Sequence, residues 1–293
     1  MQLVMFQYQG RSRLGARRCR AGTDYIIDLN RADPSLAADI LLLLRAGASA
    51  LEQAREASAS AEPDCWIPSG ECRLLAPISR PGKILCLGHN YQGHLGQDRV
   101  EPPAFPEVFC KTGNTVIGPG QPVVIPPMTG QVDYEAELLV VIGKTARRIS
   151  ESDAPGFVAG YTIFNDISAR DIQKRTSQWL LGKSFDTFGP MGPALVTADE
   201  VPDPHGLALE LTVNGVAKQQ ANTREMIFQV PFLVSYLSQV MTLEPGDVNA
   251  TATPARITEA AEPRIYLKSG DLDRISIEKL GSLEKPIEAA PAE

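Results

Sequence analysis

The sequence predicts an α+β protein that is mainly β. From Lys83 onward the apolar residues come in short or alternating runs, among them Val123 to Ile125, Leu138 to Ile142, Leu207 to Val213 and Arg274 to Ile277, broken by Gly and Pro. Helical periodicity is confined to a few segments, too few for an alternating β-α-β barrel. The first 30 residues also read as short strands, around a Gly/Arg turn.

Taken in order, Met1 to Tyr8 alternates like a strand, and Tyr25 to Leu29 closes the early strand region. Between them Arg11, Arg13, Arg17, Arg18 and Arg20 read as a solvated turn. Asp33-Pro34-Ser35 opens a helical stretch with Leu36, Ile40, Leu43 and Leu44 at helical spacing, and an alanine-rich helix follows from Ala50 to Ala59. Pro63, Pro68, Pro77 and Pro81 then punctuate the chain. The expected division is a small N-terminal α+β domain over residues 1–75, a catalytic domain over 76–285 and a disordered tail over 286–293. Within the larger domain a single long helix is expected from about Thr223 to Thr242, started or kinked by Pro231 and ended at Glu244-Pro245-Gly246-Asp247.

Lys plus Arg number 28 against 35 Asp plus Glu in 293 residues, a net charge of −7. Such a balance argues against nucleic acid and anionic membrane as partners. The apolar runs fall far short of the ~20 residues of a membrane helix, and the start lacks the layout of a secretory signal. Cytoplasmic is the expected location; the early arginines keep a mitochondrial address open for a eukaryotic chain. Five cysteines without a C-x-x-C signal neither a disulfide framework nor a zinc site, and Cys86 reads as a core residue.

The segment Val132-Asp133-Tyr134-Glu135-Ala136-Glu137, leading into Leu138 to Ile142, is the most informative. On a strand Glu135 and Glu137 share a face, with Asp133 as a third candidate. Like charges that close are costly to desolvate unless something cationic answers them, and a divalent metal does so economically. A solvent-facing acidic strand edge has the same spacing. Asp166, after the apolar run Val158 to Phe164, can complete a three-carboxylate set or act as a turn or helix cap. All-oxygen ligation favours Mg²⁺ or Mn²⁺ over zinc. Lys183, in a loop rich in Gly, Phe and Pro, is placed to meet an anion. His89 and His94 flank a small-residue turn, where a general base for neutral pH would be a histidine; His205 reads as a surface turn residue.

Six ordered motifs then carry a resemblance: Gly88-x-Asn90-Tyr91-x-x-His94; Phe109-Cys110-Lys111; Asp133-Tyr134-Glu135-x-Glu137-Leu138; Asn165-Asp166-x-Ser168-Ala169-Arg170-Asp171-x-Gln173; Gly182-Lys183-Ser184-Phe185-Asp186; and Leu243-x-Pro245-Gly246-Asp247-Val248. Together they resemble the fumarylacetoacetate hydrolase superfamily. The stretch Ile27-Asp28-Leu29-Asn30-x-x-Asp33-Pro34-Ser35-Leu36 is similar to its domain-containing protein 2 branch. The resemblance implies a mixed β-roll catalytic fold behind a small N-terminal domain, in a homodimer. It implies metal ligation of Mg²⁺ or Mn²⁺ (with Ca²⁺ as a crystal substitute) by Glu135, Glu137 and Asp166. Substrate contacts are implied for Arg170, Gln173 and Lys183, and activation of water for His94. Lys111 and Thr253 join the expected substrate contacts, Lys111 for its charge and Thr253 at a position expected to bond a carboxylate.

The implied substrates are 2-oxo or 1,3-dicarbonyl acids, whose carboxylate and keto oxygens can chelate a metal that stabilises an enolate, with Lys183 adding positive charge. Two departures bear on the reaction. Hydrolytic members carry a glutamate three residues after the histidine, where this chain has Gln97 followed by Asp98. Glutamine cannot accept a proton at neutral pH. Second, Thr251-Ala252-Thr253-Pro254 replaces the usual Thr-Gly-Thr-Pro, at a glycine suited to positive φ or close approach, and Ala255-Arg256-Ile257-Thr258 brings larger side chains into the following loop. The expectation is C–C hydrolysis of an acylpyruvate-type acid. The alternatives are an oxaloacetate-type decarboxylase or keto–enol tautomerase, a biosynthetic lyase or cyclase, and, in a different class, a non-catalytic metabolite-binding descendant.

Overall fold

The computed structural model describes residues 1–92, 103–257 and 265–291. Its main sheet runs, in spatial order, through strands Trp66–Pro68, Thr23–Asp28, Arg11–Arg20, Gln2–Tyr8, Gly189–Thr197, Val158–Asn165, Ala136–Ile142, Val248–Ala250, Ile84–Gly88 and Glu107–Lys111. The N-terminal strand Gln2–Tyr8 is hydrogen-bonded directly to Gly189–Thr197, so the first strands and those after residue 75 share one sheet. A second sheet orders Val216–Asn222, Ala208–Val213, Leu272–Ile277, Gly281–Ala289 and Val123–Ile125.

The strand Ala136–Ile142 is buried along its whole length, as a central strand covered on both faces must be. Leu138, Val140 and Ile142 join a core with Ile163, Leu211, Ile275 and Leu283, between the two sheets. Leu139 and Val141 point the other way, toward Ile40, Leu43 and Leu44 of the helix Ile40–Ala46. Each such buried Leu or Val contributes about 1.5–3 kcal/mol relative to exposure. The odd-numbered face changes character along the strand: it is apolar at Leu139 and Val141 and acidic at Glu137.

Several expected elements shift. The five arginines lie in the strand Arg11–Arg20 itself, the turn being Gln9-Gly10 with both residues at positive φ. Asp33 ends the short helix Leu29–Ala32, and the next helix starts later because Asp39 supplies the N-cap, accepting the Leu42 N–H. The alanine-rich helix spans Ala48–Ala59. The long helix expected from Thr223 is divided: Asn222 and Glu225 form a capping box around a 3₁₀ turn, and the α-helix runs only over Val230–Val240, with Pro231 in its first turn. His205 is half-buried and structural: its Nε2 accepts the Val230 N–H, and burial lowers its pKa below the ordinary histidine value. The expected disordered tail is ordered at its start, since Gly281–Ala289 is a strand with Ile287 buried beside Val123. No helix among the described residues is long and apolar enough to cross a membrane.

Candidate active site

Strand directions gather the functional groups at one end of the main sheet. Ala136 pairs with Asn165, so the start of one strand, with Glu135 and Glu137, lies against the end of the other, which delivers Asp166. The strand Val248–Ala250 runs antiparallel to Ala136–Ile142 and leads Ala252 and Thr253 to the same end. Its parallel neighbour Ile84–Gly88 brings His89 there, and the Gly88–Glu107 pairing sets Glu107 alongside. The resulting cleft has a volume of about 380 Å³ and is walled by Phe109 and Trp179, floored by Glu135, Glu137 and Lys183, and edged by Arg170, Gln173, Lys174, Ala252 and Thr253.

Glu135, Glu137 and Asp166 each present a carboxylate oxygen within 4.8 Å of the others, and all three are buried. The acidic strand is therefore no solvent-facing edge, and Asp166 is no surface cap. Lys183 Nζ donates to Glu135 Oε2 at 2.5 Å and Asp166 Oδ2 at 2.6 Å, and lies 4.8 Å from the centre of the Phe109 ring. Burial opposes its charge, but Asp166 and Glu135 outweigh burial and raise its pKa, so the ammonium keeps its proton. Arg170 Nη2 donates to Glu135 Oε1 at 2.5 Å and its Nε to Asp133 Oδ2 at 2.7 Å, while Nη1 reaches Gln173 Oε1 at 2.9 Å. Burial alone would raise Glu135, yet Arg170 and Lys183 hold its carboxyl well below the usual range.

Glu137 lies in the opposite situation. It accepts the Ala252 N–H at 2.9 Å, but burial first, and then the charges of Asp166 and Glu135, push its pKa well above the ordinary value. A carboxylate so placed calls for one more cation. The donor set is three hard oxygens, and the cations Lys183, Arg170 and Lys111 bond to Glu135 and Asp166 and leave Glu137 to the Ala252 N–H, so the residues fit Mg²⁺ or Mn²⁺.

The remaining expected residues divide. Asp133 stands outside the three-carboxylate set and is paired with Arg170 and Arg256. Lys111 does not face the cleft: it is fully buried behind Asp166, donating to Asp166 Oδ1 at 2.7 Å and to the Ile167 carbonyl at 2.9 Å, which makes it a positioning residue. Thr253 does line the cleft, and its Oγ1 accepts from Gln219 Nε2 at 2.8 Å, leaving its own proton to be donated. Ala252 has φ +74°, the left-handed conformation that the expected glycine would adopt freely. Arg256 stacks over Tyr134 at 4.4 Å from its centre, so the enlarged loop is pinned to the strand that carries the acids. His94, Gln97 and Asp98 lie outside the described residues.

Sequence reasoning missed Glu107, whose Oε2 stands 2.7 Å from His89 Nδ1, and Trp179, edge-on to the same imidazole. It also missed Gln219, which ties Ala136 N–H to the Thr253-Pro254 turn. None carries a local signal, because each acts through a strand distant in sequence.

A buried acidic triad threaded by a retained ammonium, open to an aromatic-walled cleft, defines an enzyme that takes small molecules. The family model for the C-terminal region of fumarylacetoacetate (FAA) hydrolase matches residues 83–288. A Xenopus laevis protein named oxaloacetate tautomerase fahd2, mitochondrial, is 43% identical over 291 residues, 98% of this chain and 90% of its own length. The Homo sapiens oxaloacetate tautomerase FAHD2A, mitochondrial, is 44% identical over 258 residues, 87% and 82% of the two chains. Among solved structures, maleylpyruvate hydrolase from Sphingobium sp. SYK-6 in complex with manganese(II) and pyruvate superposes with a TM-score of 0.79 at 33% identity, over 99% of this chain and 100% of that one. A 5-carboxymethyl-2-hydroxymuconate delta-isomerase from Mycobacterium smegmatis gives 0.78 at 30% identity, with coverage of 99% and 100%. The chain belongs to the fumarylacetoacetate hydrolase family.

Proposed function

We propose that this chain is a divalent-metal-dependent keto–enol tautomerase of oxaloacetate-type 2-oxo acids. The observation that carries the reading is the cluster of Glu135, Glu137 and Asp166 with Lys183 Nζ within 2.5–2.6 Å of two of them, at the floor of the cleft. Those groups supply a metal site and the positive charge that stabilises an enolate oxygen. The relatives named oxaloacetate tautomerase support the same choice over acylpyruvate hydrolysis.

Glu135, Glu137 and Asp166 would hold Mg²⁺ or Mn²⁺, which supplies Lewis-acid polarisation of a bound 2-oxo carboxylate. The chain's own residues do the rest. Arg170 uses three of its five N–H donors within the protein and offers the others to a substrate carboxylate, with Gln173 and the Thr253 hydroxyl beside it. Lys183 uses two of its three protons on Glu135 and Asp166 and directs the third at the oxygen where negative charge develops. Lys111 fixes Asp166 from behind. Phe109 and Trp179 narrow the water-filled volume, which strengthens each of these electrostatic contacts.

C–C hydrolysis of an acylpyruvate is the second reading, favoured by the likeness to the maleylpyruvate hydrolase structure. A homodimer belongs to the same proposal, with light scattering as its check. So does a mitochondrial location for a eukaryotic source, after the names of the vertebrate relatives. Oxaloacetate tautomerisation and acylpyruvate cleavage are assayed side by side, with Mg²⁺ and after chelation. Metal-dependent interconversion of oxaloacetate, lost on chelation, is expected. Acylpyruvate cleavage without tautomerisation would replace this reading by the hydrolase.

A further inference from the structure

Tautomerisation needs a group that takes a proton from carbon, and the cluster at the cleft floor is poorly suited to it. Lys183 Nζ is bonded to Glu135 and Asp166, and Glu135 and Glu137 belong to the proposed metal. Among the described residues of the cleft lining, His89 is the one imidazole, the side chain type whose ordinary titration lies nearest neutrality.

Its setting is that of an oriented acid–base group. Nδ1 stands 2.7 Å from Glu107 Oε2, the carboxylate–imidazole arrangement that fixes a tautomer and the ring orientation. The Trp179 ring packs edge-on at 5.8 Å between centres, which limits rotation of the imidazole. His89 also holds a left-handed backbone, φ +51°, the kind of outlier that clusters at functional sites. The residue before it packs closely: a Cβ at Gly88 would lie 3.0 Å from the Trp179 ring and 3.2 Å from Glu107 Oε2 and would crowd both. The motif Gly88-x-Asn90-Tyr91 leaves position 89 open, and this chain has a histidine there. It comes with Gln97 in place of the usual dyad glutamate.

We propose that His89, oriented by Glu107, is the proton-transfer residue of the cleft, and this rests on the tautomerase reading above. The imidazole takes a proton from C3, and the C–H electron pair becomes the C2–C3 double bond. The carbonyl π pair moves to its oxygen. The imidazolium then returns the proton to that oxygen through water in the cleft. The sum is a 1,3-proton shift with no oxidant, reductant or co-reactant. Glu107 acts through His89 and is a positioning residue. Lys174, Arg170, Lys183 and Glu135 are the other charged groups that line the cleft with it, beside Glu137.

The test follows enol–keto interconversion of oxaloacetate with Mg²⁺ in wild type, His89→Gln, Glu107→Gln and Glu107→Asp, together with thermal stabilisation by Mg²⁺ and oxalate. His89→Gln is expected to lower kcat about 10²-fold, with KM and the stabilisation retained. Glu107→Gln is expected to lower kcat about tenfold with KM and the stabilisation retained, and Glu107→Asp to recover part of that loss. A merely structural pair would change the stabilisation and leave kcat in place. Wild-type kcat in His89→Gln overturns the proposal, as does a rise in KM at constant kcat, which would mark a substrate contact. An active wild type with either result sinks this inference alone, whereas an inactive wild type sinks the tautomerase reading and this inference with it.

Discussion

The protein buries carboxylates and ammonium groups in two places, and the two places treat them in opposite ways. At the cleft floor, Lys183 contacts Glu135 and Asp166, and Arg170 contacts Glu135, at 2.5–2.6 Å; Glu135 and Lys183 keep their charges, whereas Glu137, which accepts a backbone N–H instead, is pushed up. Between the sheets, Asp273 and Lys285 are equally buried but bond to different partners. Asp273 accepts from Asn165 Nδ2, and Lys285 donates to the carbonyls of Gly118 and Gln121. Burial pushes the Asp273 pKa up to about 7 and the Lys285 pKa down to about 7. Burial answered by contact preserves charge, and burial answered by dipoles drives a group toward neutrality. A cleft meant to hold a cation and an anionic acid requires the first solution. The inter-sheet pair does not share that requirement, yet it reaches the site: Asn165, bonded to Asp273, also accepts the Glu135 N–H.

The largest effect is expected where contact is broken. Lys183→Met leaves Glu135 and Asp166 facing each other without their ammonium, and the metal-free protein should lose about 3–5 kcal/mol in denaturant titrations. Saturating Mg²⁺ should restore part of that loss while activity stays low. Equal stability with and without Lys183 would show that the cleft charges are not held by contact.

A smaller effect tests the other region. An unfolded aspartate ionises near 3.8, whereas Asp273 in the fold keeps its proton up to about 7. As pH rises between those values the unfolded state loses a proton that the folded state retains, so this group's contribution to stability falls. Asp273→Asn removes that slope, and wild type should lose stability relative to the variant by on the order of 2–3 kcal/mol from pH 4 to 7. Parallel profiles would mean that Asp273 is ionised like Glu135.

The smallest concerns the loop between the regions. Ala252→Gly relieves a left-handed alanine and should stabilise the fold by about 1 kcal/mol or less, because added freedom in the unfolded chain offsets part of the relief. Urea titration measures it, and a destabilised variant would show that Ala252 carries no strain.

Much of the site was legible because its residues sit in local patterns. Glu137 lies on the strand Ala136–Ile142 with Glu135 just before it, and Asp166 follows an apolar run at a strand end. Ala252 could be picked out from a position suited to glycine. Lys111 misled because a lysine beside a motif says nothing about which side of Asp166 it approaches. The arginines of the second strand misled because a charged strand segment and a turn look alike until the strands that pair with it on either side are known. The helix start at Ile40 followed Asp39 and not the Asp33-Pro34-Ser35 signal, since Asp33 already capped the end of a preceding turn.

By itself the sequence determined the mainly β class and placed Glu135, Glu137 and Lys183 in patterns with chemical meaning, while Asp133 and Asp166 both stayed open as the third acid until the resemblance favoured Asp166. Periodicity and residue chemistry are local properties, and they survive without a partner. Only the tertiary structure decided that Gly88 pairs with Glu107 and thereby sets a carboxylate on His89, that Lys111 stands behind Asp166, and that Asp273 lies beneath Glu135 through Asn165. Each of those contacts joins strands far apart in the chain, and strand register is fixed by the packing of whole sheets, not by the residues that happen to meet.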